Sequence, residues 1–132
     1  MRRRWPLYVL ALFLFLWEPL RVAGELTQSL STIGMRGAPA VAELIVHAIV
    51  AAIAVAAAWS LWNGAAHGPA MAIVAVILSA AASVQSLYWS HLPRQTAPGS
   101  QLPLAAIAVA HATAWVAYLS VRLKADAAAS DH

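Results

Sequence analysis

Residues 40–62 have the sequence AVAELIVHAIVAAIAVAAAWSLW, an apolar run interrupted only by Glu43, His47 and Ser60. At a rise of about 1.5 Å per residue, a helix of this length crosses a hydrocarbon core of about 30 Å. Pro39, directly before the run, suits the first turn of such a helix. The stretch therefore predicts a membrane-spanning helix.

The alanines of this run also indicate how the helix packs. Ala51, Ala54 and Ala58 are spaced three and four residues apart, so they share one helical face. Small residues on one face let a second membrane helix approach closely. We expect this face to lie against another span.

Three further apolar runs have the length and composition of membrane spans, at residues 5–23, 69–91 and 102–123. Together with 40–62 they predict an all-α fold, an integral membrane four-helix up-and-down bundle that forms one domain over residues 1–132. Residues 125–132 are small and polar and are expected to fray. Residues 25–37 are predicted to be a plain connector; a short interfacial helix and an extension of the first span are the alternatives.

The N-terminal segment has two interpretations. A basic cluster, a short apolar run and the small residues Val22 and Ala23 also fit a secretory signal peptide, whose removal would leave three spans. A retained first helix is favoured, because signal peptides are normally followed by an exported domain and not by more spans. Pro19 is expected to kink or end this helix.

Composition excludes several classes of protein. The chain is 62% hydrophobic and only 10% charged, with a mean hydropathy of +0.72, which is far from a typical soluble domain. Its basic residues lie at span ends and form no stripe with interleaved aromatics, so no nucleic-acid partner is expected. The absence of cysteine excludes disulfides, thiolate metal sites and thiol catalysis.

Polar residues inside the spans gather at one predicted depth. Counted from the outer end of each span, they fall within a band about 7 Å deep. The members are Glu18, Glu43, His47, Gln85 and His111. Glu43 and His47 are four apart on one face, so the carboxylate can orient the imidazole. Because ionisable groups in lipid are kept mostly where they are paired or used, this band is the predicted ligand-binding site.

The band admits several interpretations. It can be a packing device that only fixes helix register. It can hold a divalent metal through Glu43, His47 and His111, or a haem b between the two histidines. Alternatively, Glu18 and Glu43 can handle protons or cations. An ion pair between Arg21 and Glu18, three residues apart, is also expected.

These interpretations correspond to three possible roles. The favoured role is a small accessory or ligand-binding subunit of a bacterial-type inner membrane, with its buried Glu/His site near the outer leaflet. The alternatives are a small proton-coupled transporter that acts as an oligomer and a membrane enzyme that uses Glu43 and His47 as an acid–base pair. The expected partners are the lipid bilayer and other membrane subunits or further copies of this chain.

In size, span number and one acidic residue in the first span, the chain resembles the small multidrug-resistance transporters. It departs from their pattern because Glu18 lies late in the span and is followed by Pro19. No further motif is shared, so the resemblance does not assign the family.

The distribution of positive charge predicts that both termini are cytoplasmic. Five basic residues lie on the side of the termini, against three on the other side: Arg2, Arg3, Arg4, Arg122 and Lys124 against Arg21, Arg36 and Arg94. Reporter fusions at each end should therefore report a cytoplasmic location. An external N-terminus, or a mature chain that begins near Glu25, would show that the first run is a signal peptide.

Overall fold

The computed structural model describes residues 4–93 and 96–130, and within these residues it contains helices and turns but no strand. The helices are α1 (Trp5–Ser29), α2 (Ile33–Arg36), α3 (Ala38–Trp62), α4 (Gly68–Tyr88) and α5 (Gln101–Ser130). All except α2 are long and apolar enough to cross a membrane. The predicted all-α four-helix arrangement is confirmed, and the four apolar helices fit a small multi-pass membrane protein.

Two helices are longer than their predicted spans. α1 continues through Pro19 to Ser29, so Pro19 does not end it and the first residues of the predicted connector are helical. Neighbouring helices commonly stabilise a proline inside a membrane helix. α5 continues to Ser130, so the described part of the polar tail is helical, and its fraying stays a prediction.

Consecutive long helices pack side by side: α1 on α3, α3 on α4, and α4 on α5. α1 also contacts α4, whereas it meets α5 at Phe13 and His111, whose ring centroids are 4.7 Å apart. One side of the bundle, between α1 and α5, is therefore more open than the others.

We call one end of the bundle the α2 end. It contains α2, the start of α3 and α5, and the end of α4.

The core between α1 and α3 combines large and small side chains. Leu10 and Leu14 of α1 are completely buried, and so are Ala54 and Ala57 of α3. The predicted small-residue face is confirmed, since Ala51, Ala54 and Ala58 are all buried. Alanine leaves room for the leucines of α1, which brings the two helix backbones close together.

Replacing Ala54 tests this close packing. We expect Ala54→Leu to lower the free energy of unfolding by about 1–3 kcal/mol, because the extra methylene groups must displace α1. Equilibrium unfolding in mixed detergent micelles measures the change. Ala52→Leu on the exposed face of α3 is the matched control and should have little effect. Equal stabilities of the two variants would contradict the packing described above.

Candidate functional site

Buried and partly buried polar side chains of α1, α3, α4 and the segment directly after α4 meet toward the α2 end of the bundle. We call this group the polar network, and its members are Glu18, Arg21, Glu25, Glu43, His47, Ser79, Gln85 and Ser90. They belong to the second half of α1, the start of α3 and the second half of α4, except Ser90, which lies directly after α4. The alternating direction of the helices brings these segments to the same end of the bundle.

His47 connects three helices at the centre of the network. The side chain is 1% exposed, with Nδ1 2.6 Å from Glu25 Oε2 and Nε2 2.9 Å from Gln85 Oε1. The Gln85 amide nitrogen donates to the carbonyl oxygen of Trp89 at 3.2 Å, so its oxygen is the atom that faces His47. Nε2 therefore donates a hydrogen bond to Gln85 Oε1.

The contact between His47 and Glu25 contains one further proton. That proton lies between Nδ1 and Oε2, because a nitrogen and a carboxylate oxygen at 2.6 Å need one hydrogen between them. The pair is neutral overall whether the proton stays on the imidazole or on the carboxyl group. A neutral pair is the form in which two ionisable groups are least costly to bury.

Glu18 is completely buried and has partners for both oxygens. Oε1 accepts a hydrogen bond from Ser79 Oγ, and Oε2 accepts one from Arg21 Nη2 at 2.6 Å. The predicted ion pair between Glu18 and Arg21 is present. The hydrogen bond between Glu18 and Ser79 joins α1 to α4, because Ser79 belongs to α4.

Glu43 binds the segment directly after α4 and not the neighbouring imidazole. Oε1 accepts from Ser90 Oγ at 2.6 Å, and Oε2 accepts from the backbone N–H of His91 at 2.7 Å. Glu43 lies on the same face as His47, as its spacing predicted. The acid that orients His47, however, is Glu25, because α1 extends far enough to place that carboxylate beside the ring.

His111 is separate from the polar network. Its Nε2 accepts a hydrogen bond from Trp115 Nε1 at 3.0 Å, and its ring packs against Phe13. The reason is that α5 packs along α4, whereas His47 is held between α1 and α4. The structure brings Glu43, His47 and Gln85 together and leaves His111 apart, and Glu18 binds the adjacent Arg21 and Ser79.

The predicted metal and haem sites are not assembled by this geometry. No three side chains of His, Asp or Glu converge to hold a metal ion within residues 4–93 and 96–130, so Glu43, His47 and His111 form no ligand set. Both ring nitrogens of His47 already have hydrogen-bond partners. A haem b between His47 and His111 would have to break those bonds.

A cavity of about 620 Å³ lies between α1, α4 and α5 and adjoins the polar network. It follows α4 from Val76 to Leu87, roughly 17 Å at about 1.5 Å per residue, and continues along Ser90 and the segment after it. Most of its wall is apolar and comes from Phe13, Trp17, Leu20, Val76, Leu87, Leu104 and Ile107. Its polar lining includes Arg21, Glu25, Ser79, Ser83, Ser86, Ser90, Gln101 and His111.

Two residues of the cavity wall carry buried polar atoms without a hydrogen-bond partner. These atoms are Nε and Nη1 of Arg21 and Oγ of Ser86. They are the only such side-chain atoms in the described part of the chain. Buried polar groups nearly always have a partner, and both residues that lack one here line this cavity.

Sequence reasoning missed the central acid, Glu25, and gave Arg21 only a local role. The signal for both was present, because Glu18, Arg21 and Glu25 follow one another at spacings of three and four. That spacing places them on one helical face only if the helix continues past Pro19. The assignment of residues 25–37 to a connector concealed it.

No protein-family model, curated protein or solved structure matches this chain. The resemblance to the small multidrug-resistance transporters is therefore not supported by a family match.

Removal of His47 should be far more damaging than loss of an ordinary membrane hydrogen bond. We expect His47→Ala to lower the free energy of unfolding by about 3 kcal/mol, because it leaves Glu25 buried without its partner. An average membrane hydrogen bond contributes only about 0.6 kcal/mol. Equilibrium unfolding in mixed micelles measures the difference.

Two further variants complete this test. Adding Glu25→Gln to His47→Ala should recover part of the stability, because the amide replaces an ionisable group. His67→Ala, at an exposed position near the opposite end of the bundle, is the control and should have little effect. A loss below about 1 kcal/mol for His47→Ala, or no recovery in the double variant, would contradict the role given to this pair.

Proposed function

We propose that this protein is a small ligand-binding subunit of a bacterial-type inner membrane and that its site is the cavity between α1, α4 and α5. The observation that carries the proposal is the shape and lining of that cavity. A volume of about 620 Å³ lies within the range of small-molecule sites in proteins. The mostly apolar wall with a few convergent polar groups is also typical of such sites.

The distribution of the lining residues favours an amphiphilic ligand. The part of the cavity farthest from the α2 end is formed by Phe13, Val76, His111 and Ala112; it is mostly apolar and suits a hydrocarbon chain. Toward the α2 end the wall contains Glu25 and Ser86, which suit a polar head group. An elongated molecule with one polar end fits both parts in a single orientation.

The polar network supports this role by positioning the cavity wall. Arg21 and Glu25 belong to both the network and the wall. Glu25 is held by His47 of α3, and Arg21 is held by Glu18, which itself accepts a hydrogen bond from Ser79 of α4. In this proposal the network is a scaffold and the cavity is the binding site. The protein would act as an accessory subunit that holds its ligand for other membrane subunits or for further copies of the same chain.

A proton-coupled transporter is the second candidate, and one observation favours it. Glu25, which shares a buried proton with His47, also lines the cavity, so binding and proton transfer can meet at one side chain. Transport also requires a polar route to the opposite leaflet, and the cavity becomes apolar in that direction. An enzyme with Glu43 and His47 as an acid–base pair has less support, since these side chains have separate partners.

Filling the cavity tests the proposal directly. Ala108 lines the cavity on α5, and Ala108→Trp should reduce the amount of co-purifying amphiphile by about tenfold or more, because the indole occupies its space. Mass spectrometry of an organic extract of the purified protein measures that amount. Ala110→Trp, at an exposed position of the same helix, is the matched control. Equal ligand content in all three proteins, or none in the wild type, would contradict the proposal.

A further inference from the structure

We infer that the amphiphile has an acidic head group, a carboxylate or a phosphate, which binds to Arg21 and Ser86. This inference rests on the proposed function and specifies the ligand class of the same cavity. It is carried by the hydrogen-bond donors that the protein leaves without partners in one part of the cavity wall.

Arg21 provides the charge for this recognition. Its guanidinium group donates through Nη2 to Glu18, whereas Nε and Nη1 are buried without a partner. A guanidinium group can only donate hydrogen bonds, and leaving its donors unpaired in an apolar environment is costly. Arg21 is therefore able to bind further oxygen atoms without giving up its bond to Glu18.

Ser86 is an independent indication of the same region. Its Oγ is buried without a partner. Ser86 belongs to the α4 wall of the cavity, whereas Arg21 belongs to the α1 wall. A hydroxyl group can donate to an acidic oxygen as readily as it can accept. A head group between α1 and α4 that offers acceptor atoms satisfies both side chains together.

The nearby carboxylates do not favour a cationic head group. Both oxygens of Glu18 already accept hydrogen bonds, and the side chain is completely buried. Glu25 and His47 share a proton and are neutral as a pair. The unused capacity that remains around Arg21 consists of N–H and O–H donors, which carboxylate and phosphate oxygens match with charge-assisted hydrogen bonds.

Access to Arg21 requires only a small adjustment. Its side chain is 11% exposed and lines the cavity, whereas its Nε and Nη1 atoms are buried. Rotation about the flexible aliphatic part of the side chain can turn them toward a ligand while the guanidinium group stays beside Glu18. The rearrangement that binding requires is thus limited to the side chains of Arg21 and Ser86.

Ligands with one hydrocarbon chain and different head groups test the inference. Binding of oleate, oleyl alcohol and oleylamine to the full-length protein in a nonionic detergent can be measured by native mass spectrometry. Oleate should bind about tenfold or more tightly than oleyl alcohol, because only the acid forms charge-assisted bonds with Arg21. Oleoyl lysophosphatidate, compared with oleate, distinguishes a phosphate from a carboxylate head group.

Variants of the wall connect the preference to its residues. Arg21→Gln combined with Glu18→Gln removes both charges of the pair together and should abolish the preference for the acid while oleyl alcohol still binds. Ser86→Ala should weaken oleate binding about threefold to tenfold. Arg36→Gln is the control, since this arginine is exposed at the same end of the bundle and does not line the cavity.

The outcomes separate this inference from the function on which it rests. Equal binding of acid and alcohol, tighter binding of oleylamine, or a preference that survives in the double variant would overturn the acidic head group and leave an amphiphile-binding cavity. Failure of all four ligands to bind the wild-type protein would instead contradict the proposed function.

Discussion

The hydrogen bond between Glu25 and His47 is the contact on which the α2 end of this protein depends. Two ionisable side chains are buried there in a bundle whose surface is largely apolar, and neither can be left unpaired without a large loss of stability. By sharing a proton they remain neutral, and Gln85 completes the bonding of the imidazole. This contact fixes the position and rotation of α1 relative to α3 and α4.

The same requirement explains the rest of the polar network. Glu18 accepts hydrogen bonds from Ser79 and Arg21, and Glu43 accepts them from the segment directly after α4. Glu18 therefore joins α1 to α4, and Glu43 joins α3 to the segment after α4. The network occupies only the α2 end, and apolar packing between leucine and alanine holds the remaining part of α1 against α3.

The cavity follows from the unequal packing of the four long helices. α1, α3 and α4 are held together by the network and by small residues, whereas α5 packs along α4 and meets α1 at Phe13 and His111. The space that remains is lined on one side by Arg21 and Glu25 of the network. A rigid polar scaffold thus borders an apolar space, and in the proposed function this combination selects an amphiphile and its orientation.

The sequence by itself determined the number and approximate position of the spans and the all-α class. These properties follow from run length and helical rise alone. The sequence also predicted that Glu18, Glu43, His47 and Gln85 lie at one depth, whereas Glu18 contacts Ser79 and Glu43 contacts Ser90, eleven residues further along the chain. The tertiary structure decided which groups are partners. It extended α1 through Pro19 and so brought Glu25 to His47, and it separated His111 from both. Depth depends on position along one helix, but partnership depends on how each helix is rotated and packed, which residue spacing within a single span does not specify.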